Sequence, residues 1–237
     1  MPWPPFGNRQ VDQHLILFER KSESPVVTTP PNPARRPQPS GKTLLRRELL
    51  AARRALSPGS LRTSARALSR SALALPELAG ARTVAAYVSV GSEPGTRDLL
   101  DGLRAAGKRV LLPVLLADND LDWAAYEGPG SLTETVHAGK MPLLEPSGPR
   151  LGPEAVTGAD AVLLPGLAVD GRGMRLGRGG GSYDRVLARL ERAGAHPALV
   201  VLLYDEEVVA RVPEEPHDHP VQAVATPSGV VRFTDSA

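Results

Sequence analysis

At 237 residues and 41% hydrophobic content, the chain is long enough to bury a sizeable core as one domain, or at most two. It has no cysteine, which excludes disulfides, thiolate nucleophiles and Cys-ligated metal centres, so any metal must rest on oxygen or imidazole. A net charge of +2 does not by itself argue for nucleic acid, and no apolar run approaches the roughly 20 residues of a membrane span.

The first 40 residues hold nine of the 24 prolines, among them Pro30, Pro31, Pro33, Pro37 and Pro39, and no apolar period is sustained after Phe18. Residues 1–40 are therefore expected to be a disordered, proline-rich extension. The apolar run 15–18, flanked by Asp12 and Glu19, is too short and too acidic for a secretory leader, so a cytoplasmic protein is expected. Residues 41–237 are expected to form a single α/β domain.

From Gly41, Leu45, Leu49, Ala52 and Leu56 recur at helical spacing until Ser57-Pro58 closes the helix. Leu61, Ala65, Leu68, Ala72 and Leu75 form the stripe of a second helix, which Pro76 stops. These helices carry Lys42, Arg46, Arg47, Arg53, Arg54, Arg62, Arg66 and Arg70 against only Glu48. Such a run reads either as a solvated face or as an anion-binding one. Residues 83–90, 109–115, 160–164, 199–203 and 221–225 are short β-rich apolar runs. Helical segments 96–106 and 183–193 fall between them, each ended by a glycine, Gly107 or Gly194. This alternation implies a mainly parallel sheet covered on both faces, with sites in the loops beyond the strand C-termini.

The densest chemistry lies in residues 163–185. A buried strand enters a loop with Gly177, Gly179, Gly180 and Gly181, and that loop opens a helix. Glycines let backbone N–H groups approach a ligand, and the positive end of a helix favours an anion. The spacing is neither that of a Walker loop nor that of the dinucleotide Gly-x-Gly-x-x-Gly, since Ser182 stands where the third glycine belongs. Phosphate binding is expected, with Arg175 and Arg178 arguing against a merely flexible turn.

The order Pro-Gly-Leu-Ala-x-Asp-x-x-Gly-x-Arg-Leu-Gly-x-Gly-x-Gly-x-Tyr-Asp in residues 165–184 resembles the signature of the 5-formyltetrahydrofolate cyclo-ligase family. Three further segments are similar to the family in the same order: Lys42 to Arg46 with Arg53-Arg54, residues 87–96 with Glu93, and residues 216–226 with His217-Asp218-His219. The resemblance spans residues 42–226. It implies a three-layer α/β/α sandwich and an enzyme that uses ATP and Mg2+ on 5-formyltetrahydrofolate, as a monomer with no nucleic-acid or membrane partner. In the reaction the resemblance implies, ATP is expected to phosphorylate the formyl oxygen, N10 to attack the activated carbon, and phosphate to leave, giving 5,10-methenyltetrahydrofolate.

Carried over by position, the resemblance assigns ATP to Lys42, Arg46, Arg175, Gly177, Arg178, Gly179, Gly180, Gly181, Ser182 and Tyr183, with Arg178 and Tyr183 catalytic. It assigns folate to Val88, Glu93 and the loop residues Arg178, Gly179, Gly180, Gly181 and Ser182, and magnesium to Asp184 and Asp218. Lys42 and Arg46, four apart, share a helical face, and a carboxylate such as Glu93 accepts two parallel hydrogen bonds from an amino-pyrimidinone edge. Asp170-Gly171 is read as an ordinary turn outside the site. The chain departs from the family in Ser182, where a second tyrosine is frequent, and in Gly180, where a lysine is frequent. Two rival classes remain open. One is an ATP-independent sugar-phosphate isomerase or CoA-transferase-like enzyme. The other is a nucleotide- or RNA-binding module without turnover, with the basic residues 42–70 as its footprint.

Overall fold

The computed structural model describes residues 40–138, 141–215 and 218–233. The expected proline-rich extension thus lies outside the described residues except for Ser40, as does His217 of the His-Asp-His segment. The chain begins with α1 (Gly41–Arg54), α2 (Pro58–Leu73) and the single turn α3 (Pro76–Gly80). Then come β1 (Thr83–Ala85), α4 (Arg97–Ala105), β2 (Arg109–Leu115) and β3 (Leu121–Ala125). A hairpin of β4 (Leu132–Thr135) and β5 (Leu143–Pro146) precedes β6 (Ala161–Pro165), β7 (Ala168–Asp170) and β8 (Arg175–Leu176). The described chain ends with α5 (Ser182–Arg192), β9 (Ala198–Leu202), β10 (Val208–Val209), β11 (Ala223–Thr226) and β12 (Gly229–Arg232). No described helix is long and apolar enough to cross a membrane.

Seven strands form the central sheet in the order β12-β11-β9-β6-β1-β2-β3. The five inner strands β11, β9, β6, β1 and β2 run parallel, while β3 and β12 close the edges antiparallel. Strand period 2 sorts the side chains onto two faces. Val84, Val110, Leu163, Val200 and Ala225 meet Leu68, Ala72 and Leu75, together with Leu99, Leu100 and Leu103 of α4. On the other face Ala85, Leu111, Val162, Leu164, Val201 and Val224 meet Val186, Leu187 and Leu190 of α5. The expected layered α/β architecture is thus present, with apolar runs where strands are covered on both sides.

β1 ends at Ala85, earlier than the expected 83–90. The chain then turns into a loop held by Thr96, whose hydroxyl donates to Tyr87 O at 2.8 Å and accepts from Ser89 N at 2.9 Å. This early exit also explains a proline inside β2. Pro113 shares its orientation with Leu111, whose carbonyl takes Ala86 N–H, and beyond that point β1 offers no ladder partner. The missing N–H of Pro113 therefore costs no sheet hydrogen bond.

α1 starts where expected, capped by the Ser40 hydroxyl, which accepts from Thr43 N at 3.2 Å. Its buried stripe differs from the expected one. Leu45, Leu49 and Leu50 pack on Ala168 and Leu176 of a second, three-stranded sheet, β10-β7-β8, and on Leu167 and Val212 beside it, while Ala52 is exposed. Arg53 takes the inner position. It is 2% exposed, donates to both Glu207 oxygens at 2.6 and 2.8 Å, and donates to Gly166 O at 2.7 Å. Burial alone would depress the Arg53 pKa, but the Glu207 hydrogen bonds outweigh it and the pKa is raised. The apolar stripe was expected from helical spacing, whereas a guanidinium whose Nε and Nη2 are paired is also tolerated inside, here with Nη1 left without a partner among the described residues.

Removing one partner of such a pair leaves an uncompensated buried charge, at a cost of about 3–5 kcal/mol. Arg53→Ala is therefore expected to lower the urea midpoint by that equivalent, and exposed Arg54→Ala to leave it within about 0.5 kcal/mol of the parent.

Candidate functional site

Two cavities meet at the C-terminal ends of the parallel strands. The larger, of about 660 Å3, is bordered by Tyr87, Val88 and Glu93 after β1, by Pro113 and Leu115 of β2, by Leu144 and Glu145 of β5, and by the loop from Arg175 to Asp184. The smaller, of about 170 Å3, is bordered by Lys42, Arg46, Arg175, Glu215 and Asp218. Gly177, Gly179 and Gly181 border both. The glycine loop is thus a thin wall between a mainly apolar cleft and a charged pocket.

Each wall residue has a local cause. β8 ends at Leu176, and α5 opens at Gly181, whose φ of +75° takes the N-cap position with no side-chain cap. The unshared N–H groups of the first turn of α5 therefore remain for other acceptors. Gly179 has φ +90°, and a Cβ there would come within 3.4 Å of the Arg46 guanidinium. Arg46 Nε donates to Gly177 O at 2.9 Å, tying α1 to the loop. Arg175 reaches under the loop, donating to Pro165 O at 3.1 Å and to Asp184 Oδ1 at 2.9 Å. Burial dominates Arg175 and lowers its pKa.

Lys42 donates to Asp218 Oδ2 at 2.6 Å and to Glu215 Oε2 at 3.0 Å. Burial opposes its charge, but the two carboxylates outweigh that and raise its pKa. Asp184 and Asp218 both border the smaller pocket, so the expected magnesium ligands are brought to one place. Among the described residues no three acidic, His or Cys side chains stand close enough together to hold a metal ion by themselves. The donor set suits magnesium held by one or two carboxylates and completed by phosphate oxygens and water. His219 is turned toward Glu191 of α5, at 3.8 Å.

On the cleft side, Glu93 accepts from Arg178 Nη1 at 3.0 Å through Oε1 and from Val90 N at 2.9 Å through Oε2. Tyr183 and Tyr87 each carry a buried hydroxyl with no hydrogen-bond partner among the described residues. Burial raises both pKa values, and the nearby Glu93 charge adds to this. Both phenols therefore stay protonated across the ordinary pH range.

All the expected site residues border one of the two cavities. Val88, Glu93, Arg178, Gly180, Ser182 and Tyr183 lie on the cleft, Lys42, Arg46 and Asp218 on the pocket, and Arg175, Gly177, Gly179, Gly181 and Asp184 on both. Asp170 is buried away from them, accepting from Met174 N, Arg172 N and Val212 N, which agrees with its reading as a turn residue. Tyr87, Glu145 and Glu215 were not expected in the site. Glu215 stands three residues before Asp218, a proximity visible in the sequence, whereas Glu145 reaches the cleft only through the hairpin.

The loop glycines are not equivalent. Gly179 adopts a φ that costs an L-residue about 1–2 kcal/mol, whereas a Cβ at Gly180 meets nothing within 4 Å. Gly179→Ala is expected to lower the urea midpoint by that equivalent, and Gly180→Ala to leave it within about 0.5 kcal/mol of the parent.

The model of the 5-formyltetrahydrofolate cyclo-ligase family matches residues 38–227. A 5-formyltetrahydrofolate cyclo-ligase of Mycolicibacterium smegmatis is 43% identical over 201 residues, covering 81% of this chain and 97% of the relative. One of Escherichia coli is 32% identical over 180 residues, covering 75% and 96%. Among solved structures, the 5,10-methenyltetrahydrofolate synthetase of Aquifex aeolicus superposes with a TM-score of 0.68 at 29% identity, covering 83% of this chain and 94% of that one. Sequence match, coverage of nearly the whole of each relative and fold agree, and the chain belongs to the 5-formyltetrahydrofolate cyclo-ligase family.

Proposed function

We propose that residues 41–237 act as one catalytic domain that converts 5-formyltetrahydrofolate to 5,10-methenyltetrahydrofolate, with release of ADP and phosphate from ATP. The observation that carries this is the glycine wall shared by an apolar cleft and a cation-lined pocket. A flat ring on one side and a triphosphate on the other bring the formyl oxygen and the γ-phosphate together at the loop. The names of the relatives support the same chemistry.

The amide-like formyl oxygen is a poor leaving group, so the reaction needs it phosphorylated first. Its lone pair attacks the γ-phosphorus and ADP leaves. N10 then attacks the formyl carbon, the C–O bond breaks to release phosphate, and N10 loses its proton. Lys42, Arg46 and Arg175 hold phosphate oxygens, and Arg178 leaves Glu93 to meet the charge developing on the transferring group. Glu93 is then free for the amino-pyrimidinone edge, and Val88 packs beside the ring. The buried, protonated Tyr183 donates to an oxygen of the reacting group. Asp184 and Asp218 would hold magnesium, which supplies charge neutralisation on the phosphates when bound.

Turnover, followed as methenyl product and ADP, is expected only when ATP, a divalent cation and the 5-formyl isomer are all present. Equal turnover without nucleotide would overturn the assignment. Asp184→Asn keeps size and helix-start preference but removes the charge that attracts the cation. Its rate at fixed magnesium is expected to fall at least about tenfold, or about 1.4 kcal/mol, with partial rescue at high magnesium and a lowered melting temperature, because the Asn oxygen still accepts from Arg175 but no longer balances its charge. A magnesium titration of both proteins at saturating ATP checks this.

A further inference from the structure

Glu145 lies on β5, 4% exposed, in the wall of the larger cleft. Its Oε1 does all the structural work the geometry shows. It accepts from Leu115 N at 2.8 Å, which ties the hairpin to the end of β2, and it sits 2.9 Å from His137 Nε2. No described residue donates to Oε2. It is not one of the sealed polar atoms of the described residues, so it opens on the cleft, where a donor carried by a bound molecule meets it. Of the other two carboxylates of the cleft, Asp184 accepts from Arg175 and Glu93 has both oxygens engaged, by Arg178 and by Val90 N.

The surroundings narrow what that donor is. Leu115, Leu121, Leu144 and Pro113 make the neighbouring wall apolar, so the group that reaches Oε2 is carried on a largely apolar body. A cation on a flexible arm does not need such a wall. A flat heterocycle with ring N–H groups on its edge does, because its faces are covered by the leucines while its edge is read by a carboxylate.

We propose that Glu145 is a second substrate-binding carboxylate, whose Oε2 accepts from a ring N–H of the reduced pterin. This rests on the cyclo-ligase assignment above. Glu145 and Glu93 then belong to different elements, β5 and the loop after β1, and grip donors of one ring. Glu145 thereby selects a donor-rich heterocycle over one of equal size that presents acceptors. It carries no step of the reaction, so its loss weakens capture of folate and leaves nucleotide handling intact.

The test uses the full chain and two substitutions. In Glu145→Gln the amide oxygen still accepts from Leu115 N, but an NH2 group now faces the ligand's N–H, so the fold is kept and the polarity is reversed. In Glu145→Ala both functions are lost. Equilibrium binding of 5-formyltetrahydrofolate without nucleotide is measured for each, beside steady-state KM and kcat and a melting curve. For Glu145→Gln, the expected result is a folate Kd and KM at least about tenfold higher, KM for ATP and kcat within about twofold, and a melting temperature within about 3 °C of wild type. An unchanged folate Kd, or a fall in kcat alone, overturns the proposal, and an unchanged Kd with a lower melting temperature assigns Glu145 to structure only. Wild type that neither binds nor turns over 5-formyltetrahydrofolate would instead overturn the cyclo-ligase assignment on which it rests.

Discussion

The buried guanidinium of Arg175 fixes how the main sheet, the glycine loop and α5 meet. One side of it donates to Pro165 O at the end of β6, and the other to Asp184 in the first turn of α5. The loop between β8 and α5 is therefore stretched over a largely buried charge, 9% exposed, that borders both cavities. A Cβ at Gly177 would lie 2.9 Å from the Arg175 Nη1. At Gly177 the loop is thin because the cation beneath it leaves no room for a side chain. That thinness makes a single stretch of backbone border two cavities of opposite character.

α1 supplies the other half of this geometry. Lys42, Arg46 and Arg53 stand four and then seven residues apart, a separation of close to three whole turns, so the three cations share one face. Their fates differ with what that face meets. Arg53 is locked to Glu207 and Gly166 in the interior, Arg46 rests on Gly177 O, and Lys42 reaches the Glu215 and Asp218 carboxylates at the pocket. The buried pair at one end thus orients the cations at the other. In water an Arg–Glu pair contributes little, but here both partners are withdrawn from solvent and cannot exchange it for hydration.

Much of this was legible before any coordinates. The alternation of β-rich runs with capped helices implied a covered parallel sheet, and β2 runs from Arg109 to Leu115 as expected. The glycine motif pointed to an anion site, and every residue expected in it borders one of the two cavities. The misses have physical causes. Residues 87–90 are as apolar as a strand, but Tyr87, Val88 and Val90 line the cleft and the chain has left the ladder after Ala86. Ala52 has the right period for a core stripe, yet Arg53 is the buried neighbour, because a buried glutamate 154 residues away pairs with it. Period alone carries no information about a partner so distant in the chain.

Local chemistry in the sequence determined which segments become helix, strand and glycine loop, and which side chains carry cations and carboxylates suited to phosphate. Those properties depend on neighbours within a few residues, where spacing and residue type suffice. Only the tertiary structure decided that Lys42 faces Asp218, that Arg178 meets Glu93, and that Glu145 of a peripheral hairpin enters the cleft wall. Each of those contacts joins residues far apart in the chain. They exist because sheet order and crossover packing bring the strand ends together.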